Sequence, residues 1–125
     1  MYEVMIRESF SAAHRLRDYG GRCEELHGHN WKVEVVVRAL ELDRTGLALD
    51  FAVLRKHTRD AISSLDHRFL NDLPAFKEMN PSSENIARFL YHAIEERIKD
   101  CGVQLARVNV WESDHSRASY VGPER

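Results

Sequence analysis

Only two cysteines, Cys23 and Cys101, occur in the 125 residues, far apart and without a Cys-x-x-Cys pattern. That argues against a disulfide scaffold and makes a reducing cytoplasm the expected compartment. Neither charge sign dominates: 18 basic and 20 acidic residues leave a net charge of −2, with no block of like charge. A nucleic-acid or membrane-surface footprint is therefore missing, and the expected partners are small molecules or further copies of the chain. No apolar run approaches the roughly 20 residues needed to span a bilayer. Met1 to Glu8 has neither a basic start nor a long apolar core, so no signal peptide is expected. Internal repeats, low-complexity tracts and linkers are lacking too. With 43% apolar and 30% charged residues, the composition fits one globular domain over residues 1–125, able to bury roughly two-thirds of its unfolded surface.

The densest chemistry lies in Cys23-Glu24-Glu25-Leu26-His27-Gly28-His29-Asn30, just before the β-branched run Trp31 to Val37. A strand through that run puts His27 and His29 on one face at its mouth, with Gly28 turned away between them. Two imidazoles so placed can hold one divalent ion, and His14, at the end of an earlier strand, offers a third. Three neutral histidines suit zinc and leave a fourth position for water or substrate. A chain with seven histidines also yields His-x-His pairs by chance, and His14 alone is as readily a packed or solvated ring. Cys23 stands between two readings, a small buried hydrophobe and a nucleophile or base. With no second cysteine nearby it is not read as a zinc ligand.

Residues 2 to 14 alternate, with Tyr2, Val4, Ile6, Phe10, Ala12 and His14 on one parity and Glu8 breaking that face, which predicts a half-buried strand. Arg15 to Arg22 reads as a loop, and Trp31 to Leu40 as the second strand. Asp43-Arg44-Thr45-Gly46 is a turn signal, after which Leu47-Ala48-Leu49 is expected to run back as a short hairpin strand. Asp50 is a good N-cap, and apolar positions from Phe51 to Leu65 recur at helical spacing. A loop from Pro74 to Pro81 leads to a second helix, capped by Ser82 or Ser83, running to Ile98 and closed by Gly102. Leu105 to Trp111 predicts a long strand, and Ala118 to Val121 a short last one. Strands flanking two consecutive helices imply an α+β fold, an antiparallel sheet with both helices on one face.

Two further places carry candidate chemistry. Asp66-His67 follows the first helix, where a carboxylate beside an imidazole can orient its tautomer and raise its basicity; the plain alternative is a turn cap beside a solvated ring. Glu112 ends an apolar strand and is either a solvated edge acid or a carboxylate that accepts two parallel N–H donors from a planar heterocycle. Lys32, Arg15, Arg38 and Arg68 could meet anionic groups, but no spacing selects among them.

Six ordered blocks then assemble into one pattern: Phe10-Ser-Ala-Ala-His14, Cys23 to Asn30, Leu49-Asp50-Phe51, Leu65-Asp66-His67-Arg-Phe-Leu70-Asn71, Pro81-Ser-Ser-Glu84-Asn85 and Trp111-Glu112. From about Phe10 to Tyr120 the chain resembles the 6-pyruvoyltetrahydropterin synthase superfamily, and within it the bacterial 6-carboxytetrahydropterin synthases of queuosine (7-deazaguanine) biosynthesis. The resemblance implies a four-stranded antiparallel sheet with two helices on one face, the tunnelling fold. It implies that His14, His27 and His29 bind zinc, that Cys23, Asp66 and His67 form the catalytic group, and that Glu112 anchors the pterin ring. The implied substrate is 7,8-dihydroneopterin triphosphate, and the implied assembly is a homohexamer of two stacked trimers with sites between subunits. Cys23 as a base needs a thiolate, and a free thiol titrates near a pKa of about 8.5, so zinc and a positive imidazole nearby are the expected means of lowering it. Ser82-Ser83, and Trp31 after the His-Gly-His-Asn run, depart mildly from the family pattern. The Cys-x-x-x-His spacing points to the carboxy-forming branch over the pyruvoyl-forming one.

Two other classes compete. Gly21, His27, His29 and Glu34 match the spacing of a first cupin metal motif, but Glu34 has the opposite strand parity to the histidines, and two helices of this length do not suit a jelly roll. A zinc-stabilised interaction module would have Cys23 closing the metal, leaving Asp66, His67 and Glu112 without a task.

Overall fold

The computed structural model describes residues 1–18 and 25–123. Its elements are β1 (Tyr2–His14), β2 (His27–Ala39), α1 (Phe51–Ile62), β3 (Arg68–Phe69), α2 (Ser83–Ile98), β4 (Gln104–Ser113) and β5 (Ser116–Val121), with two short 3₁₀ turns after β3. They build one sheet in the order β3-β1-β2-β4-β5. The four long strands pair antiparallel, whereas β3 lies parallel to β1 through Ala12 and Ala13. The α+β class is as expected, but the sheet has five strands and is mixed.

The expected strand Leu47–Leu49 is not formed. Asp43 closes its own loop instead, its Oδ1 accepting from the backbone N–H groups of Thr45 (2.8 Å) and Leu47 (3.0 Å) and from the Thr45 hydroxyl (2.6 Å). The Asp43 N–H also donates to the Leu47 carbonyl at 2.8 Å, and Gly46 takes a φ of +87° that turns the chain. Donors used locally cannot build a ladder.

Each helix start follows its cap. Asp50 accepts from the Ala52 N–H and Ser82 from the Asn85 N–H, so Ser82 is the cap of α2. The first helix stops at Ile62, three residues before the expected Leu65, and continues as a turn. Both helices cover one face of the sheet, where strand alternation gathers Ile6, Phe10, Trp31, Val33, Val35, Val37, Val108 and Val110 against Leu54, Leu65, Ile86, Leu90 and Ile94. Burying each such side chain contributes about 1.5–3 kcal/mol, which holds α1 and α2 to this face. Glu8, the odd acid on it, accepts from Arg55 at 2.6 Å and Arg59 at 3.0 Å, tying α1 to β1. Among the described residues, no helix is long and apolar enough to cross a membrane.

The opposite face carries a polar network on Glu34. Its carboxylate accepts from Arg7 Nη2 (2.6 Å), Asn109 Nδ2 (3.0 Å) and Trp111 Nε1 (2.9 Å). Glu34 thus lies across the sheet from the histidines, as its parity requires, and the cupin arrangement is excluded.

Candidate metal centre and active site

The antiparallel register of β1 and β2 pairs His14 with His27 and Ala12 with His29. Alternation then turns all three imidazoles to the helix side at one end of the sheet, and β4 brings Glu112 to the same point. One donor atom from each of His14, His27, His29 and Glu112 lies within 4.8 Å of the others. His14 Nε2 is 3.0 Å from His27 Nε2, and Glu112 Oε1 is 2.9 Å from His29 Nε2 and 4.0 Å from His27 Nε2. A tetrahedron with zinc–nitrogen bonds of about 2.05 Å has edges of about 3.3 Å, so these separations bracket the spacing that one ion requires.

Hydrogen bonding tests the fit independently. His14 Nδ1 stands 2.7 Å from the Pro81 carbonyl and His27 Nδ1 stands 2.9 Å from the Glu25 carbonyl. A carbonyl only accepts, so each Nδ1 carries the proton, and in the neutral rings both Nε2 atoms present lone pairs to each other. Two lone pairs at 3.0 Å, with a carboxylate beside them, are a repulsive arrangement unless a cation sits among them. His29 Nε2 is buried and makes no hydrogen bond. The Glu112 oxygen is near enough to it but lies off the line of a hydrogen bond, so the two groups converge on a shared point. Burial lowers the His14 pKa, opposed by its bond to the Pro81 carbonyl and by Glu112, and reinforced by His27 and His29. The neutral form that binds metal is therefore favoured. The residues fit a divalent cation. Trp31, fully buried, packs edge-on against His14 and His29 with ring centroids 4.9 and 5.2 Å away.

Asp66 and His67 form a separate pair beside the outer edge of β1. Asp66 Oδ1 accepts from the Ser11 N–H at 3.0 Å and lies 2.9 Å from His67 Nδ1. The His67 N–H donates to the Ser11 carbonyl at 2.6 Å. The Ser11 N–H, set against the effect of burial and helped by His67, holds the Asp66 carboxyl below its ordinary range. His67 has a φ of +59°, an uncommon conformation for a residue with a Cβ, and its side chain is 82% exposed. It lines an open cleft of about 520 Å³ shared with Ser11, Gly28, His29, Asn30 and Arg68. Cys23, expected to complete the group, lies outside the described residues.

Glu112, which the resemblance gives to the ligand ring, stands beside the histidines. Its second oxygen accepts from Ser83 Oγ at 3.2 Å, and it borders another cleft, of about 380 Å³, with Ser83, Glu84, Ser116, Arg117 and Ser119. The His29–Glu112 contact therefore stands between the two clefts.

Sequence reasoning missed the clamp that carries the chain away from His14. Asn71 accepts from the Arg15 N–H at 3.0 Å and donates to the Arg15 carbonyl at 2.9 Å. Asn80 does the same to Arg17, at 2.8 and 2.9 Å. Arg17 also donates to the carbonyls of Phe76, Lys77 and Met79. Two asparagine amides thus imitate strand pairing in a segment without a strand. Asn71 stands in a quoted motif, but no periodicity marks its task.

A sheet covered by two helices, with three histidines and a carboxylate converging at its strand ends, defines an α+β protein with a side-chain cluster that could hold a metal ion. The chain belongs to the 6-pyruvoyl tetrahydropterin synthase family, whose model matches residues 3–123, and that family is one of enzymes acting on pterins. It is 37% identical to the 6-carboxy-5,6,7,8-tetrahydropterin synthase of Synechocystis, over 98% of this chain and 95% of that protein. It is 36% identical to the dihydroneopterin monophosphate aldolase of Pyrococcus furiosus, over 89% and 90%. Against human 6-pyruvoyl tetrahydrobiopterin synthase the identity is 35%, over 96% and 91%. Among solved structures, the 6-pyruvoyl tetrahydropterin synthase of Caenorhabditis elegans superposes with a TM-score of 0.84 at 27% identity, covering 98% of this chain and 96% of that one.

Proposed function

We propose that the protein is a zinc-dependent 6-carboxytetrahydropterin synthase. It converts 7,8-dihydroneopterin triphosphate and one water to 6-carboxy-5,6,7,8-tetrahydropterin, releasing acetaldehyde and triphosphate, in queuosine biosynthesis in the cytoplasm. The observation that carries this reading is the facing lone pairs of His14 and His27, with the buried, unbonded Nε2 of His29 beside them. The similarity to the Synechocystis synthase supports the carboxy-forming branch, and so does the Cys23-x-x-x-His27 spacing.

In this proposal His14, His27 and His29 hold zinc. Zinc bound there would supply a Lewis acid for the side-chain hydroxyls of the substrate, acidifying the adjoining C–H and stabilising the charge that develops. Cys23 takes the proton as a thiolate. His67, oriented by Asp66 through Nδ1, moves the proton on the other face of the substrate side chain through Nε2. Glu112 accepts two parallel N–H donors of the pterin ring. The exposure of His67 at the sheet edge suits a site completed between subunits, and a hexamer of two stacked trimers built from single-domain chains is the proposed assembly.

The 35% identity to the human enzyme favours a second reading, formation of the pyruvoyl product from the same substrate and residues. Mass spectrometry of the products from zinc-loaded protein and 7,8-dihydroneopterin triphosphate, with an acetaldehyde assay, separates the two. Carboxytetrahydropterin with acetaldehyde supports the first reading. Pyruvoyltetrahydropterin moves the protein to the second branch, and unchanged substrate overturns both.

A further inference from the structure

Trp111 and Glu112 are neighbours in sequence with side chains on opposite faces of the sheet. We propose that Trp111 is a positioning residue: pinned by Glu34 on the face away from the helices, it fixes the end of β4 and with it the approach of Glu112 to the histidine cluster. The inference rests on the metal reading of that cluster and adds the residues behind the sheet that set its geometry.

The strand end carries it. Alternation along β4 turns Val108, Val110 and Glu112 to the helix side, and Asn109 and Trp111 to the other. The ladder from β2 ends at the pair Lys32–Trp111. On the β5 side Trp111 pairs with Arg117 and Ser113 with Ser116, so Glu112 is the extra residue of a bulge, a device that aims a side chain where pairing stops. Trp111 is therefore the last residue before Glu112 that is paired on both sides.

The indole is also held more firmly than the carboxylate that follows it. Its Nε1 donates to Glu34 Oε1 at 2.9 Å. Glu34 is buried and fixed by Arg7 and Asn109, and Asn109 accepts from Ser119 Oγ at 2.7 Å, which ties the network to β5. The Arg117 guanidinium stands over the ring, 5.5 Å from its centroid. Glu112, by contrast, has a side chain 36% exposed and one hydroxyl partner, Ser83 Oγ, at 3.2 Å. The Lys32–Asp114 pair in the turn beyond it is exposed and holds the strand end weakly. The direction of the strand end thus places Glu112 Oε1 2.9 Å from His29 Nε2. A carboxylate at that distance favours a dication in the cluster by its charge alone, so a shift of the bulge is read as lost metal affinity.

The test is a double-mutant cycle on Co²⁺ affinity, read from visible absorption of metal-free full-length protein, for the wild type, Trp111→Phe, Glu112→Gln and the double variant. Folding is checked by circular dichroism and stability by urea denaturation. Trp111→Phe keeps a ring under Arg117 and removes the indole N–H. It is expected to bind Co²⁺ about tenfold more weakly than the wild type and to change nothing in the Glu112→Gln background, whereas its cost in urea is the same in both backgrounds. Glu34→Ala, which removes the acceptor instead of the donor, is the second variant and is expected to repeat the pattern. Wild-type affinity in Trp111→Phe, or a loss that persists in the Glu112→Gln background, overturns the inference and leaves the metal reading standing. Absence of Co²⁺ binding by the wild type overturns both.

Discussion

The Nε2 atoms of His14 and His27 face each other at 3.0 Å while the Nδ1 atom of each ring is committed to a backbone carbonyl. The ring orientations are thus fixed by backbone carbonyls, and a cation among the facing lone pairs would relieve the repulsion between them. Chelation is expected to lower the melting temperature of purified wild-type protein, since a ligand that binds only the native state stabilises it. His14→Ala is expected to purify without metal, by elemental analysis, and to show no response to the chelator. A chelator response equal to that of the wild type would place the ion elsewhere.

Glu34 supports the fold from the other face of the sheet. Burial opposes its ionisation, but hydrogen bonds from Trp111, Arg7 and Asn109, with the Arg7 charge, hold its carboxyl below the ordinary range. Its folded pKa is therefore below the unfolded value of about 4.3. The stability it contributes is complete above that value and is lost as pH falls through the folded one. Glu34→Gln is expected to lose about 2–3 kcal/mol near neutral pH, by urea denaturation, and to lose less than the wild type on acidification. Parallel acid limbs in the two proteins would refute the assignment.

The Asn80 amide bonds the backbone of Arg17 through both of its polar atoms, its Oδ1 also accepting from Arg17 Nε at 3.4 Å, so acceptor and donor are separable by mutation. Asn80→Ala is expected to lose about 1–3 kcal/mol in urea, and Asn80→Asp, which keeps the acceptor and loses the donor, to lose less. Equal losses would mean that the amide donor contributes everything.

His67 holds a φ of +59° with an exposed side chain, a conformation that asparagine adopts more readily. His67→Asn is expected to be as stable as the wild type, or up to about 1 kcal/mol more stable, while turnover falls by about 10²-fold or more. A variant that kept its turnover would remove His67 from the proton path.

Cys23→Ala is expected to abolish turnover while zinc content stays near that of the wild type. Loss of zinc together with activity would instead make the thiolate a ligand and support a closed structural site.

The parity of β2 is sufficient, from sequence alone, to bring His27 and His29 to one face, because alternation is local, whereas His14 joins them through the register of β1 on β2. The same rule placed Glu34 on the far face. Where the outcome depended on distant partners, the sequence was mute. The parallel pairing of Arg68 and Phe69 with β1 is two residues long and has no periodicity to show. Leu47–Leu49 looked like a strand because the capacity of Asp43 to close its own loop was not weighed against three apolar residues. Glu112 was singled out for a ring, yet its meeting with His29 depends on how β4 lies beside β2, a register that no short motif encodes.

Trp31 packs edge-on against two of the three clustered imidazoles, fully buried, with its indole N–H donating to the Ala12 carbonyl at 3.3 Å. A protonated imidazole quenches indole emission and a metal-bound one changes the field around it. The molecule therefore contains its own optical reporter of loading, with Trp111, across the sheet under Arg117, as a built-in reference. Occupancy and its kinetics are open to stopped-flow fluorescence without any label.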